Sequence, residues 1–333
     1  MIPSATPLAQ PADWRQLYRE SAISAADLLH SLALDADALQ LAPADAQFPL
    51  RAPAPFRARM RIGDAADPLL RQVLPLIDET RRVPGFEFDA VGDLGSRGAS
   101  GVLHKYHGRV LLIATGSCAI HCRYCFRRHF PYSEELAAKQ SWAAALDYLR
   151  QHPDVSEVIL SGGDPLALST SKLRELTDGL IALGTIRRLR IHSRLPVVIP
   201  QRVDADLLDW LAGLPWPITL VLHSNHAQEI DDQVADVCAR LRAAGTHLLN
   251  QAVLLRGVND SIRAQLQLSE ALWASGVLPY YLHLLDRTHG SAHFEVGESD
   301  ARAIYAEMRR QLPGYLVPRL AREIAGEPHK TWL

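Results

Sequence analysis

Arg109-Val110-Leu111-Leu112-Ile113-Ala114 runs through Thr115-Gly116-Ser117 into Cys118-Ala119-Ile120-His121-Cys122-Arg123-Tyr124-Cys125. A short apolar, β-branched run closed by Gly and Ser reads as a buried strand. The loop after it holds three of the four cysteines, at CxxxCxxC spacing. Three thiolates held that close can grip one face of a metal cluster, but they cannot close its shell. If the cluster is a 4Fe-4S cubane, one iron lacks a protein ligand and a small molecule can bind and react there. Zinc stays open as an alternative, with His121, His129 or Cys238 as fourth ligand. The ferredoxin pattern, a tighter run with a fourth cysteine and a following proline, is absent.

The strand-then-loop pattern repeats to the end of the chain. Strands are predicted at 109–114, 156–160, 188–192, 218–223, 247–254 and 279–285. Helices are predicted at 142–151, 172–183, 205–214, 230–243, 262–275 and 299–312. Six βα units joined by right-handed crossovers wind into a parallel sheet with helices outside. The fold class expected is α/β, a partial (β/α)6 TIM-type barrel; an open doubly wound sheet is the alternative. Residues 1–100 form an N-terminal, mainly helical extension, 101–298 the barrel core, and 299–333 a C-terminal helix with a short closing segment. In the extension, 24–34 and 67–76 read as helices, the first capped by Ser24, and Pro-rich 41–56 reads as a connector. No chemistry is assigned there.

In either architecture the chemistry sits at the carboxyl ends of the strands. The polar residues obey this rule. After the cysteine loop come Ser161-Gly162-Gly163-Asp164-Pro165, Ser193-Arg194, His223-Ser224-Asn225-His226, Arg256-Gly257-Val258-Asn259-Asp260 and Asp286. Gly162-Gly163 lets backbone come close to a ligand, and with Asp164 it can hold an ammonium group. Read alone, the same turn is only a loop.

Composition excludes several classes. The chain has 333 residues, 48% hydrophobic and 22% charged, with a net charge of −2. Nothing suggests a nucleic-acid or membrane surface, and no apolar stretch approaches the ~18 residues of a membrane span. The N-terminus lacks the basic and apolar pattern of a secretory leader, so a cytoplasmic setting is expected. Only four lysines occur, Lys105, Lys139, Lys172 and Lys330.

Together the cysteine run and the following Gly-Gly turn resemble the radical S-adenosylmethionine enzymes. Leu103-His104-Lys105-Tyr106, Cys125-Phe126-Arg127-Arg128, Ser161 to Leu166, Leu195 to Arg202, Val253 to Asp260 and Pro279-Tyr280-Tyr281 resemble lysine 2,3-aminomutases. The C-terminal Gly326-Glu327-Pro328-His329-Lys330-Thr331 is most like the branch of that family that feeds β-lysylation of elongation factor P. The resemblance implies a 4Fe-4S cluster on Cys118, Cys122 and Cys125, with S-adenosylmethionine chelating the open iron. It implies that Gly162, Gly163, Asp164, His223 and Gln251 contact S-adenosylmethionine. It also implies pyridoxal 5′-phosphate carried by Lys330, the catalytic lysine, with Lys105, Tyr106 and Arg109 near the phosphate. Arg127 would bind the carboxylate of L-lysine, and Asp286 and Glu323 its ε-ammonium. The second acid is aspartate in the relatives and glutamate here, so the pose or stereochemistry of the substrate can differ.

Each residue also has a plain reading: a tail lysine for Lys330, a core histidine for His223, and surface charges for Arg127 and Glu323. The reaction implied is 2,3-migration of the amino group of L-lysine to give β-lysine, with flavodoxin or ferredoxin as electron donor. A homo-oligomer stays open. A lysine or glutamate 2,3-aminomutase of another pathway is the alternative, and a non-enzymatic electron-transfer module a third. No C-terminal zinc site is expected.

Overall fold

The computed structural model describes residues 13–43, 48–133, 136–138 and 142–333. Ten strands form one sheet in sequence order: β1 (Arg97–Ala99), β2 (Val102–Tyr106), β3 (Arg109–Thr115), β4 (Glu157–Gly162), β5 (Arg188–Ser193), β6 (Ile218–His223), β7 (Thr246–Val253), β8 (Leu278–His283), β9 (Arg319–Arg322) and β10 (Thr331–Trp332). From β3 to β9 each strand pairs parallel with the next. β1, β2 and β10 add antiparallel edges. The protein therefore has a mixed α/β fold with a central parallel sheet. The doubly wound alternative fails, because it needs the strand order to double back.

The local reasons are legible residue by residue. β3 and β4 are buried on both faces, as parallel strands under crossover helices must be. Four of the six predicted helices start where a short polar side chain caps them; Ala143–Gln151 and Glu298–Gln311 have no such cap. Ser169 Oγ accepts from Lys172 N, Asp204 from Leu207 N, Asp231 from Val234 N and Ser261 from Ala264 N. Such caps contribute about 1 kcal/mol each. All six predicted helices are present, between Ala143–Gln151 and Glu298–Gln311.

The N-terminal region shares the core of the sheet. Trp14, Leu28, Phe56 and Leu69 belong to the same buried cluster as Leu112, Leu160, Ile191, Leu220 and Leu282. Ser24 caps Ala25–Ser31, shorter than expected. The helix expected at 67–76 is a single turn, Pro68–Arg71, capped by Asp67. In the predicted connector, Ala54–Arg57 is helical, and 44–47 lie outside the described residues.

Sequence reading missed three further features. β1 and β2 form a hairpin that puts Lys105 inside a strand rather than ahead of one. Glu87 N donates to Arg287 O (2.8 Å), and His289 N donates to Glu87 O (2.9 Å). These bonds strap residues 86–89 to the loop after β8, with Phe86 anchored among Leu255, Val258, Leu285 and Phe294. Finally, β10 pairs with β9, so Lys330 stands beside a strand rather than on a solvated tail. Among the described residues no helix is long and apolar enough to cross a membrane.

Candidate active site

A cavity of about 810 Å³ gathers the ends of the strands. The residues assigned to the cluster, cofactors and substrate all line it: Cys118, Cys122, Cys125, Gly162, Gly163, Asp164, His223, Gln251, Lys105, Tyr106, Arg109, Arg127, Asp286, Glu323 and Lys330; the strand-end residues Ser224 to His226 and Arg256 to Asp260 do not. Register explains part of this. His223, Gln251 and Tyr281 are cross-strand partners in one row over β6, β7 and β8.

One end of the cavity is the cysteine loop. All three thiols are free and half-buried. Burial pushes Cys118 well above its ordinary pKa and Cys125 up to about 11, and the neighbouring thiols add to both shifts. Three thiolates packed together there need an electropositive core in place of their protons. Zinc fits poorly. His121 Nδ1 is held 2.7 Å from Pro49 O, His129 Nε2 is 3.1 Å from His289 O, and Cys238 is buried in the helix Asp232–Ala243. The three thiols lie on one loop and line the large cavity, which leaves room beside them for a cluster.

The Gly-Gly turn lines the cavity and also holds the cysteine loop. A Cβ on Gly163 would lie 2.6 Å from Ser117 O, so this glycine admits the cysteine loop itself. Gly163 N donates to Thr115 O (2.6 Å) and Asp164 N to Ser117 O (2.9 Å). The Asp164 carboxylate accepts from Ser193 Oγ (2.7 Å), Arg194 N (2.8 Å), Leu195 N (2.9 Å) and Leu166 N (3.1 Å). It ties the β4 and β5 loops together instead of offering a free carboxylate. Behind the sulfurs, Arg194 Nη1 reaches Cys122 Sγ at 2.6 Å.

The other end is a chain of charges. Lys330 Nζ lies 2.7 Å from one oxygen of Glu323, and Lys105 Nζ lies 3.0 Å from the other. Lys105 also meets Asp93 (2.6 Å) and Val91 O (2.7 Å). Asp93 in turn holds Arg127 Nε (2.7 Å), and Arg127 Nη1 donates to Ser161 Oγ (3.1 Å). Burial opposes ionisation of Glu323, but the Lys330 and Lys105 ammoniums overcome it and hold its carboxyl at about 2. For Asp286, burial and the Glu323 charge outweigh the two lysines, and its carboxyl rises to about 7. Arg109 stacks over the Tyr106 ring at 4.7 Å. His223 Nε2 lies 3.3 Å from His192 Nδ1, and burial holds His223 neutral, its pKa down at about 3.

Sequence reading passed over Asp93, Gln72, Glu79 and Glu229, and gave Arg194 no role. Only Arg194 carried a signal, its place at a strand end.

Comparisons with known proteins show what the whole chain is similar to. The family described as "4Fe-4S single cluster domain" matches residues 107–184. An L-lysine 2,3-aminomutase from Escherichia coli is 48% identical over 321 residues, covering 96% of this chain and 94% of that protein. One from Haemophilus influenzae is 42% identical, covering 99% and 98%. Another, from Buchnera aphidicola, is 41% identical, covering 86% and 84%.

Proposed function

The chain belongs to the L-lysine 2,3-aminomutase family and is an isomerase; from that premise we propose that it moves the α-amino group of L-lysine to the β-carbon inside this cavity. One observation carries the reading: three cluster-spaced sulfurs and a buried-edge lysine line the same enclosure. Its cofactors are a 4Fe-4S cluster, S-adenosylmethionine and pyridoxal 5′-phosphate. When bound, they supply one-electron reduction, a hydrogen-abstracting group and an electron sink.

The residues divide the remaining work. Cys118, Cys122 and Cys125 hold the cluster. The Gly162-Gly163-Asp164 turn fixes their loop, while neutral His223 and Gln251 offer hydrogen bonds deeper in the cavity. Lys330 carries the pyridoxal. All three ammonium protons of Lys105 have partners in Asp93, Glu323 and Val91 O. Arg109, braced by Tyr106, is therefore the freer cation for the phosphate. Arg127 keeps guanidinium donors for the carboxylate of lysine, and a planar fork suits that group. Glu323 and Asp286 take the ε-ammonium. Glu323 exchanges one ammonium partner, Lys330, for another, the substrate's, so no charge is left buried alone. Glutamate would bring a third carboxylate to these two acids, which disfavours it as substrate.

In this reading the sequential parallel strands form a partial (β/α)6 barrel. A flavodoxin- or ferredoxin-class donor supplies the electron in the cytoplasm. The sequence at 326–331 supports use of the product for β-lysylation of elongation factor P. The test is anaerobic reconstitution with iron, sulfide and both small cofactors, followed by product analysis with L-lysine and with L-glutamate. β-Lysine from lysine alone is expected. Turnover of glutamate but not lysine would overturn the assignment.

A further inference from the structure

We infer that Arg194 is a positioning residue that sets the reduction potential of the cluster. This rests on the reading of Cys118, Cys122 and Cys125 as cluster ligands. Arg194 is buried, and its guanidinium spans two environments. Nη1 lies 2.6 Å from Cys122 Sγ and 2.9 Å from the Tyr124 hydroxyl. Nη2 lies 2.7 Å from Gln72 Oε1 and 2.9 Å from Glu229 Oε2. The backbone N–H of Arg194 is fixed to Asp164 at 2.8 Å.

A cation held on a ligand sulfur acts on the electron count. Reduction adds one electron and no proton, from an external one-electron carrier, and makes a cluster with three thiolate ligands one charge more negative. A donor and a positive charge at the sulfur stabilise the reduced state more than the oxidised one, and so raise the potential. Glu229 opposes this. It is fully buried and accepts from Gln72 Nε2 (3.2 Å), Asn225 N (2.8 Å) and His226 N (3.1 Å) as well as Arg194. The two charges therefore pull the cluster in opposite directions through one contact. Gln72 and Tyr124 keep that contact rigid, Tyr124 through the Asn225 amide at 2.6 Å.

The experiment is a potential-poised titration of the reconstituted protein, read by the paramagnetic signal of the reduced cluster, without S-adenosylmethionine or lysine. In Arg194→Gln the equilibrium constant for reduction should fall about tenfold, which is 59 mV for one electron. Arg194→Lys should recover most of that loss, since the charge returns. Glu229→Gln should move the other way, with reduction about threefold more favourable. A purely structural role predicts shifts of the same sign in both neutral variants, or none, and either result overturns the inference. If Arg194→Gln takes up no iron, the sign in Glu229→Gln decides. If the parent protein takes up no iron, the cluster reading itself has failed, and that outcome is distinct from an unmoved potential.

Discussion

Around the cysteines, the charges are paired behind the sulfurs. Arg123 meets Glu79 at 2.5 Å, Arg128 meets the same oxygen at 2.8 Å, and Arg194 meets Glu229 at 2.9 Å. Around Lys330, the charges face the cavity: Lys330 and Lys105 share Glu323, and Asp93 joins Lys105 to Arg127. The first arrangement is fixed, with no partner to give up when a cluster is bound. In the proposed reading the second is exchangeable, each ion trading its present partner for a charged group of a ligand. A site that keeps one cofactor in place and admits an amino acid charged at both ends needs both kinds of wall.

Asp93→Asn strikes the exchangeable wall hardest. It removes the anion that orients both Lys105 and Arg127, so kcat/KM for lysine should fall roughly thirtyfold, about 2 kcal/mol. Iron content should not change. Steady-state kinetics beside an iron assay would check this, and loss of iron would show the two walls to be coupled.

Asp286 gives a smaller, pH-dependent effect. Its carboxyl sits at about 7 in the folded chain, so it is largely protonated in mildly acidic solution. Binding of the ε-ammonium needs the ionised form, and kcat/KM for lysine should rise as the pH passes through about 7. Asp286→Asn should raise KM about tenfold and abolish that limb. Linkage runs in the opposite sense. Between pH ~4, where an unfolded Asp ionises, and pH 7 the folded state binds more protons, so this group lowers stability as pH rises. Glu323, held at about 2, stabilises the fold above its unfolded pKa of ~4.3 and loses that contribution as pH falls toward 2. Thermal melts of the parent and of Asp286→Asn should separate the two groups.

The smallest effect belongs to Cys238. Cys238→Ala should cost about 1 kcal/mol of stability or less, with iron content and potential unmoved. A loss of metal would revive it as a ligand.

Sequence reading located the βα units and the mouth of the cavity because both rest on local signals. β-branched runs, capping Ser and Asp residues, and chemistry-bearing side chains at strand ends are all visible within a few positions. Lys330 was legible only through resemblance, since its strand pairing depends on β9. Asp93 left no trace. It lies in an aperiodic segment 34 residues before Arg127, and only the fold brings the two together. Gln72 and Glu79 reach the cysteine loop from the region given no chemistry, across 52 residues to Tyr124 and 44 to Arg123. Gly163 was legible as a close approach, but the approach of Ser117 O to it depends on the fold.

The most direct test of the two-ended cavity is a pair of spectra. Anaerobically reconstituted Cys125→Ala and Lys330→Ala would each be scanned for cluster and pyridoxal absorbance. Loss of only the cluster band in the first and only the pyridoxal band in the second is the predicted result. Pyridoxal retained at parent level in Lys330→Ala, or a cluster band retained in Cys125→Ala, would contradict it.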